Sequence, residues 1–377
     1  MKYDVVIIGS GSVGSFAGYY ASKQGLKVCL LDNFLPPHSN GSYHGDTRIF
    51  RIAYGEGEKY IPLLQRAFRL WGEFEQASGQ RIFERCGVLN IGDPASEFMR
   101  NVAKSSQDFA LNTTPLSPKD LSQLYGINVP SDFVGILERE TGFVYSDRSV
   151  ESAIRLACEL GAHLLVAQIT RIDKRDGIYH IHTDSSQILA DKILLSAGSF
   201  ASEILSVCEL DLPQIPVKPK RKMLNWFDSS SYQLRDAMPA FIMEFNGDHF
   251  YGFPDFGSGV KIGLNVFGQD ITTRDGLGSF GDIDSDKRAI SEHIREFMPH
   301  LGELSKGAVC TYAMTPDEGF VIEFIDSCML YLGGLSHGFK FAPALGELGI
   351  SALQSGELPS EICRHFSLAR FDSQNLA

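Results

Sequence analysis

The sequence lacks both a long apolar run and an excess of positive charge. No stretch approaches the ~20 apolar residues that a helix needs to span a bilayer. Acidic residues outnumber basic ones by 46 to 34, which gives a net charge of −12. Proteins that bind nucleic acids or anionic membranes present clustered positive charge instead. We therefore expect neither nucleic acid nor a membrane as a partner, and an anionic substrate would need local cations.

The sequence also lacks the cysteine spacing of a metal centre or a disulfide framework. It has seven cysteines, an odd number. They are widely separated, and no two of them form a Cys-x-x-Cys pair. This pattern is typical of reduced thiols in a cytosolic protein. We predict a cytoplasmic protein without a metal site.

What the sequence does contain begins with a strand, a glycine-rich loop, a helix and a second strand over residues 3–32. The loop has the pattern Gly9-x-Gly11-x-x-Gly14, and the second strand ends at Asp32. In a dinucleotide-binding unit the first glycine permits a tight turn and the second lets the backbone approach a pyrophosphate. The third lets the helix pack on the strand, and the acidic residue binds a ribose hydroxyl. The motif predicts dinucleotide binding but does not distinguish FAD from NAD.

Two later segments favour the longer cofactor, FAD. Ala197 and Gly198 follow a predicted strand, and their small size permits close approach of a ligand. A glycine-rich loop over residues 333–340 precedes the last predicted helix. Such a loop at a helix N-terminus favours a negatively charged group. Contacts near both ends of the chain fit FAD better than NAD.

Two arginines, Arg48 and Arg51, are three residues apart. We interpret this spacing as one face of a helical turn. Arginine binds carboxylates through two parallel hydrogen bonds, so the pair could bind an anionic group, but a surface turn with solvated charges is an equally simple interpretation of these residues alone.

Together these segments resemble the family of monomeric sarcosine oxidase and N-methyl-L-tryptophan oxidase, and the resemblance covers essentially the whole chain. The strings that carry it lie at residues 4–14, 44–48, 53–57, 251–254, 310–318 and 337–341.

The resemblance implies an α/β fold. A Rossmann-like FAD-binding domain of the glutathione-reductase type is interleaved with a substrate-binding α+β domain built on an antiparallel sheet. We predict an FAD-binding domain of residues 1–80, 146–213 and 305–377. The predicted substrate-binding domain has residues 81–145 and 214–304.

The resemblance also implies a role for particular side chains. FAD would be attached covalently to Cys310, and Lys261 would activate oxygen. Arg51 and Lys340 would hold the substrate carboxylate, with Arg48 beside the flavin and His44 and Tyr251 lining the same cavity. The residues predicted to contact FAD are Gly9, Gly11, Val13, Gly14, Asp32, His44, Arg48, Ala197, Gly198, Cys310, Gly334, His337, Gly338 and Lys340.

The implied reaction is oxidative demethylation of an N-methyl amino acid, with O₂ as electron acceptor, by a monomeric enzyme. Asn265 stands in the substrate site where the family has histidine, and the loop before His337 is one glycine shorter. Three alternatives stay open at this point. They are an oxidase of sarcosine or another small secondary amine, an NAD-linked dehydrogenase, and a flavin-binding protein with little turnover.

Overall fold

The structure is a computed structural model that describes residues 1–245, 248–264, 268–288 and 290–371. Its strands are β1 (Lys2–Ile8), β2 (Val28–Asp32), β3 (Thr47–Phe50), β4 (Phe83–Glu84), β5 (Val88–Gly92), β6 (Thr113–Leu116), β7 (Val134–Glu138), β8 (Gly142–Tyr145), β9 (His163–Val166), β10 (Ile169–Arg175), β11 (Ile178–Thr183), β12 (Gln187–Leu195), β13 (Lys218–Phe227), β14 (Ala240–Phe245), β15 (Asp248–Phe253), β16 (Val260–Leu264), β17 (Gln269–Asp270), β18 (Leu304–Met314), β19 (Val321–Asp326) and β20 (Met329–Gly333). Its helices are α1 (Ser12–Lys23), α2 (Ile61–Ser78), α3 (Glu97–Asp108), α4 (Pro118–Tyr125), α5 (Ser146–Glu159), α6 (Ala201–Ser206), α7 (Ser285–Arg288), α8 (Ser291–Phe297), α9 (Ala342–Ser355) and α10 (Ser360–Phe366).

The first sheet has a parallel centre in the order β9-β2-β1-β12-β20. The antiparallel strands β10 and β11 lie beside the first half of β12, and β19 pairs with β20. Side chains of α1, α5 and α9, among them Phe16, Ile154 and Leu345, share one buried core with this sheet. Burial of both faces explains why β1 is a nearly continuous apolar run. The predicted Rossmann-like unit is confirmed.

The second sheet has the order β17-β13-β16-β15-β14-β5-β7-β6, and β18 pairs with the other side of β13. Its pairs are antiparallel except that of β14 with β5. Leu121 of α4 and Phe297 of α8 pack in the core on one face. The predicted combination of an α/β unit and a largely antiparallel sheet is therefore confirmed.

The strand β18 bears on the predicted domain boundaries. It begins at Leu304 and carries Cys310, and it pairs with β13 in the second sheet rather than with the parallel strands. The predicted boundary at residue 305 thus falls at the start of a strand of the second sheet. The division into two discontinuous domains stays a prediction.

The helical turn expected around Arg48 and Arg51 is wrong. Residues 47–50 form the strand β3, which pairs antiparallel with β8, and Arg51 follows its last residue. A β-branched residue at Thr47 and at Ile49 favours an extended chain, and pairing with residues 142–145 fixes it. Two arginines three positions apart are compatible with a helical turn. They are equally compatible with a strand that ends between them, as β3 ends at Phe50.

Candidate active site

A groove of about 100 Å³ lies at the carboxyl ends of β1 and β2, where the glycine motif follows β1. Gly9, Gly11, Asp32, Ala197 and Gly198 all line it. The structure therefore brings these five predicted cofactor residues together, at the edge of a parallel sheet where nucleotides bind.

The glycines of the motif are required by close backbone contacts. Gly9 has φ +90, and a Cβ atom at this position would lie 2.6 Å from the carbonyl oxygen of Ser196. A Cβ on Gly14 would lie 1.9 Å from the carbonyl oxygen of Gly9, because α1 packs directly on the loop. Val13 is buried in the first turn of α1 and supports the loop from within the core.

The sequence did not reveal two further residues of this groove, His38 and Arg274. Asp32 accepts a hydrogen bond from Ser10 N at 2.8 Å, and its other oxygen lies 3.2 Å from His38 Nε2. Arg274 comes from the second half of the chain, and its guanidinium lies 4.6 Å from the ring centre of Phe200. No motif marks either residue, because Arg274 reaches the groove through long-range contacts and His38 lies in a loop, six residues from Asp32, that has no recognised pattern.

A second cavity, of about 490 Å³, meets the groove. Ser12, Ser42 and Tyr43 line both, so the two spaces form one elongated path. Of the predicted residues, the second cavity is lined by Arg48, Arg51, Tyr251, His337 and Lys340.

A cluster of polar groups around the buried thiol of Cys310 lies behind the part of the path that Ser42 and Arg48 line. Nη2 of Arg48 donates to the carbonyl oxygens of Ser42 (2.6 Å) and His44 (2.8 Å), and it lies 3.6 Å from Cys310 Sγ. His44 Nε2 lies 2.5 Å from Val309 O. Burial alone would raise the pKa of the Cys310 thiol, but hydrogen bonding with His44 and the charge of Arg48 lower it below its ordinary value. A lowered pKa favours the thiolate form of cysteine, which is the nucleophilic form.

Arg51 is buried at the other side of the cavity and is already paired. Its Nη2 donates to both carboxylate oxygens of Glu56, at 2.8 and 2.7 Å, and its Nη1 donates to Asn90 Oδ1 at 3.1 Å. The guanidinium carbon lies 5.0 and 5.2 Å from the ring centres of Tyr54 and Phe98. Burial would raise the pKa of Glu56, but Arg51 and Lys340, together with other nearby groups, outweigh burial and lower this pKa below its ordinary value. A substrate carboxylate therefore has to displace Glu56 from the arginine fork.

Lys340 lies beside this pair, in a one-turn helix (Gly338–Phe341) that leads into α9. Its Nζ donates to the carbonyl oxygen of His337 at 2.9 Å and to the hydroxyl of Tyr54 at 3.3 Å. Burial lowers the pKa of Lys340 to about 7. Burial also lowers the pKa of His337 to about 3, so its imidazole is neutral near pH 7. Gly334 shapes the preceding turn with φ +65.

Lys261 is fully buried, and its Nζ donates to Gly45 O (2.5 Å), Thr47 O (2.8 Å) and Thr47 Oγ1 (3.1 Å). Burial lowers the pKa of Lys261 well below its ordinary value. Three acceptors nevertheless match the three N–H donors of an ammonium group, so the geometry favours the charged form. Nζ lies 4.4 Å from the ring centre of Phe253, which lines the cavity. Asn265 lies outside the described residues.

Known proteins resemble the chain in sequence as well as in fold. The family model of FAD-dependent oxidoreductases matches residues 4–351. The chain belongs to this family. N-methyl-L-tryptophan oxidase from Salmonella heidelberg (strain SL476) is 40% identical over 378 residues, which cover 98% of this chain and 100% of the relative. N-methyl-L-tryptophan oxidase from Salmonella arizonae is 41% identical over 379 residues, with the same coverage.

Solved structures of lower identity confirm the FAD-dependent oxidoreductase fold. NikD, an unusual amino acid oxidase essential for nikkomycin biosynthesis, has a TM-score of 0.85 at 18% identity, with 97% of each chain covered. L-proline dehydrogenase from P. horikoshii has a TM-score of 0.85 at 20% identity, covering 100% of this chain and 99% of the other.

The residues of this FAD-dependent oxidoreductase fit the cofactor of its family. Gly11 lines the groove without a side chain, so its backbone is open to a pyrophosphate, and a Cβ there would be tight against Tyr43 at 3.3 Å. Asp32 lies in the same groove, and the path continues into a cavity wide enough for a ring system. Within the described residues, no group of His, Cys, Asp and Glu could hold a metal ion, and no helix could span a membrane.

The sequence also failed to reveal three residues that line the cavity: Lys222, Tyr312 and Glu244. Lys222 of β13 lies opposite Cys310 of β18 in register, and burial lowers the pKa of Lys222 to about 8. The hydroxyl of Tyr312 lies 3.2 Å from that of Tyr251. Alternation along β18 was the available signal for Tyr312, because it is two residues from Cys310 and therefore on the same face.

Proposed function

We propose that this protein is an oxidase that demethylates a bulky N-methyl amino acid, of the kind exemplified by N-methyl-L-tryptophan. The observation that carries the proposal is one cavity lined by Arg48, Arg51 and Lys340, of which Arg51 and Lys340 are the cations that would bind a carboxylate. The buried thiol of Cys310 lies behind this lining, 3.6 Å from Nη2 of Arg48. The 40% identity to N-methyl-L-tryptophan oxidase over 98% of the chain supports the same reaction.

FAD, held in the groove by the glycine loop and Asp32, would supply the redox chemistry, a two-electron oxidation of the N-methyl C–N bond with O₂ as the final electron acceptor. The chain's own residues bind and orient the substrate. Its carboxylate exchanges with Glu56 in the fork of Arg51 and takes a second hydrogen bond from Lys340. Water then hydrolyses the oxidised substrate, so that the N-methyl amino acid, O₂ and water give the demethylated amino acid, formaldehyde and hydrogen peroxide.

Charged side chains near the thiol have two further roles. Arg48 and His44 lower the pKa of Cys310, so the thiolate is available for covalent attachment of FAD. Lys261 provides a fixed positive charge for an anion that forms from O₂, and its three acceptors hold the ammonium in place. Tyr251 and Tyr312 present paired hydroxyls toward the amine.

We further propose that the enzyme acts as a monomer in the cytoplasm. The seven cysteines are all free in the structure, which fits a reducing compartment.

The decisive experiment is acid precipitation of the purified protein. We expect a yellow pellet, because a thioether to FAD survives denaturation, and a colourless pellet from Cys310→Ser. Cys29→Ala is the matched control: Cys29 is equally buried, but burial raises the pKa of its thiol to about 12. A pellet from Cys310→Ser that stays yellow would disprove the attachment site.

The activity is tested by peroxide release. N-methyl-L-tryptophan should give a higher kcat/KM than sarcosine, because the chain is 40% identical to N-methyl-L-tryptophan oxidase over 98% of its length. A yellow protein that releases no peroxide with either substrate would refute the oxidase.

A further inference from the structure

The cavity is lined by acidic as well as basic side chains. Arg51 and Lys340 are the cations to which the proposed reaction assigns the substrate carboxylate, and Glu97 and Glu244 also line the cavity. The proposed reaction leaves the carboxylate of Glu244 without a role.

Strand pairing places Glu244 on the side of the cavity that carries Arg51, but further along the sheet. Ile242 of β14 pairs with Asn90 of β5, and Asn90 is the residue that accepts from Arg51. Glu244 is two residues further along β14, so it faces the same side as Ile242, about 7 Å away. The neighbouring strand repeats this arrangement, because Tyr251 pairs with Ile242 and His249 pairs with Glu244.

One oxygen of Glu244, Oε2, is buried and has no hydrogen-bond partner in the described part of the chain. Gly92 makes room for it, since a Cβ there would lie 3.3 Å from Oε2. A buried carboxylate oxygen without a donor costs free energy, and a ligand that donates an N–H group removes that cost.

Aromatic and aliphatic side chains lie between Arg51 and Glu244. The ring of Phe98 lies 5.2 Å from the guanidinium carbon of Arg51 and 4.9 Å from the ring centre of His249. Ile242 lines the same stretch of the cavity. A planar side chain that binds by its carboxylate at Arg51 would lie against Phe98 and reach Glu244 with its far edge.

We propose that Glu244 determines substrate specificity by accepting a hydrogen bond from an N–H group at the end of the substrate's side chain. The inference rests on the proposed function and narrows it. The preferred substrates are N-methyl amino acids with an extended side chain that carries an N–H donor. Those with purely hydrocarbon side chains are poor substrates.

The test uses two unreactive carboxylates, indole-3-acetate and 1-methylindole-3-acetate, which share the ring but differ in the N–H group. Their dissociation constants are measured on the flavin-loaded protein from the change in flavin absorbance. We expect the N-methylated ring to bind about tenfold or more weakly, because it cannot donate to the carboxylate. Equal dissociation constants in the unmodified protein would overturn the proposal without any variant.

Variants then assign the effect to one residue. In Glu244→Leu the ratio of the two dissociation constants should fall to about 1. In Glu244→Gln, which keeps an acceptor, the ratio should stay above 1 but below that of the unmodified protein. Glu97→Leu is the matched control, since Glu97 lines the same cavity, and it should keep the full ratio. A ratio lost in Glu97→Leu and kept in Glu244→Leu would refute the assignment.

Two further results identify the donor and separate the two proposals. Tight binding of 4-guanidinobutyrate that is lost in Glu244→Leu would support an N–H donor and show that it is cationic. If no N-methyl amino acid yields peroxide while the two indole acids still differ, the proposed reaction fails and the role of Glu244 stands.

Discussion

The dinucleotide groove and the substrate cavity meet at Ser12, Ser42 and Tyr43, yet they are built in different ways. The groove depends on missing side chains: its glycines let the backbone of one segment approach another. The cavity depends on buried charged groups held by specific partners, as Arg51 is by Glu56. The groove should therefore be sensitive to added volume, and the cavity to changed charge.

The largest effect is expected in the groove, from Gly14→Val. A Cβ on Gly14 would lie 1.9 Å from the carbonyl oxygen of Gly9, and neither backbone segment can move without disrupting the loop. We expect almost no bound FAD, measured as flavin absorbance per protein. The control is Gly72→Ala in α2, where the nearest atom to a new Cβ is 3.9 Å away. It should retain the cofactor, since alanine is favoured over glycine within a helix.

Normal flavin content in Gly14→Val would show that the loop can rearrange, and the contrast between groove and cavity would then fail. Circular dichroism of the same sample separates loss of FAD from loss of the fold.

The same contrast explains what could be predicted from the sequence. The groove arises from one continuous strand-loop-helix-strand unit, so Gly9, Gly11, Gly14 and Asp32 were found from local spacing. Arg274, which reaches that groove by tertiary contact, was not found, and neither was His38, which lies six residues from Asp32 in a loop without a recognised spacing. Sequence patterns predict local geometry, but they do not predict the register in which distant strands pair.

For the cavity, the family resemblance supplied Arg51 and Lys340 but not their surroundings. Glu56 was missed as the partner of Arg51, although it lies only five residues away. Lys222 and Glu244 were missed because they lie on β13 and β14, whose registers are set by other strands. The role of Asn265 stays a prediction, as do the roles of the predicted site residues.

A smaller, graded effect is expected from Arg51→Ala in the cavity. A buried hydrogen bond to a charged group contributes about 2–3 kcal/mol, so the dissociation constant of a carboxylate ligand should rise about 30- to 150-fold. Titration with indole-3-acetate, followed by flavin absorbance, measures the change. FAD content should stay normal, because Arg51 does not line the groove.

Glu56→Gln is the opposite variant of the same pair. It weakens the internal competitor for the arginine fork, so a carboxylate ligand should bind more tightly than in the unmodified protein. Weaker binding in Glu56→Gln would mean that Glu56 orients Arg51 for the ligand rather than blocking it.

The smallest effect is a pH dependence that belongs to the cavity alone. Burial lowers the pKa of Lys340 to about 7, and a bound carboxylate favours its protonated form. Below pH 7 the ammonium is present and binding is strongest. As the pH rises through 7 the ligand-free enzyme loses this proton, and affinity falls by at most about tenfold per pH unit.

Indole-3-acetate is the right ligand for this measurement, because it has no amine whose own titration would oppose the trend. Its carboxylate stays ionised over the range used, and His337, with a pKa of about 3, stays neutral. Lys222 also lines the cavity with a pKa of about 8, so Lys340→Met separates the two lysines. In that variant the fall centred near pH 7 should disappear, and any remaining dependence should move toward pH 8. An unchanged profile in Lys340→Met would remove Lys340 from the carboxylate site and leave Arg51 as its principal cation.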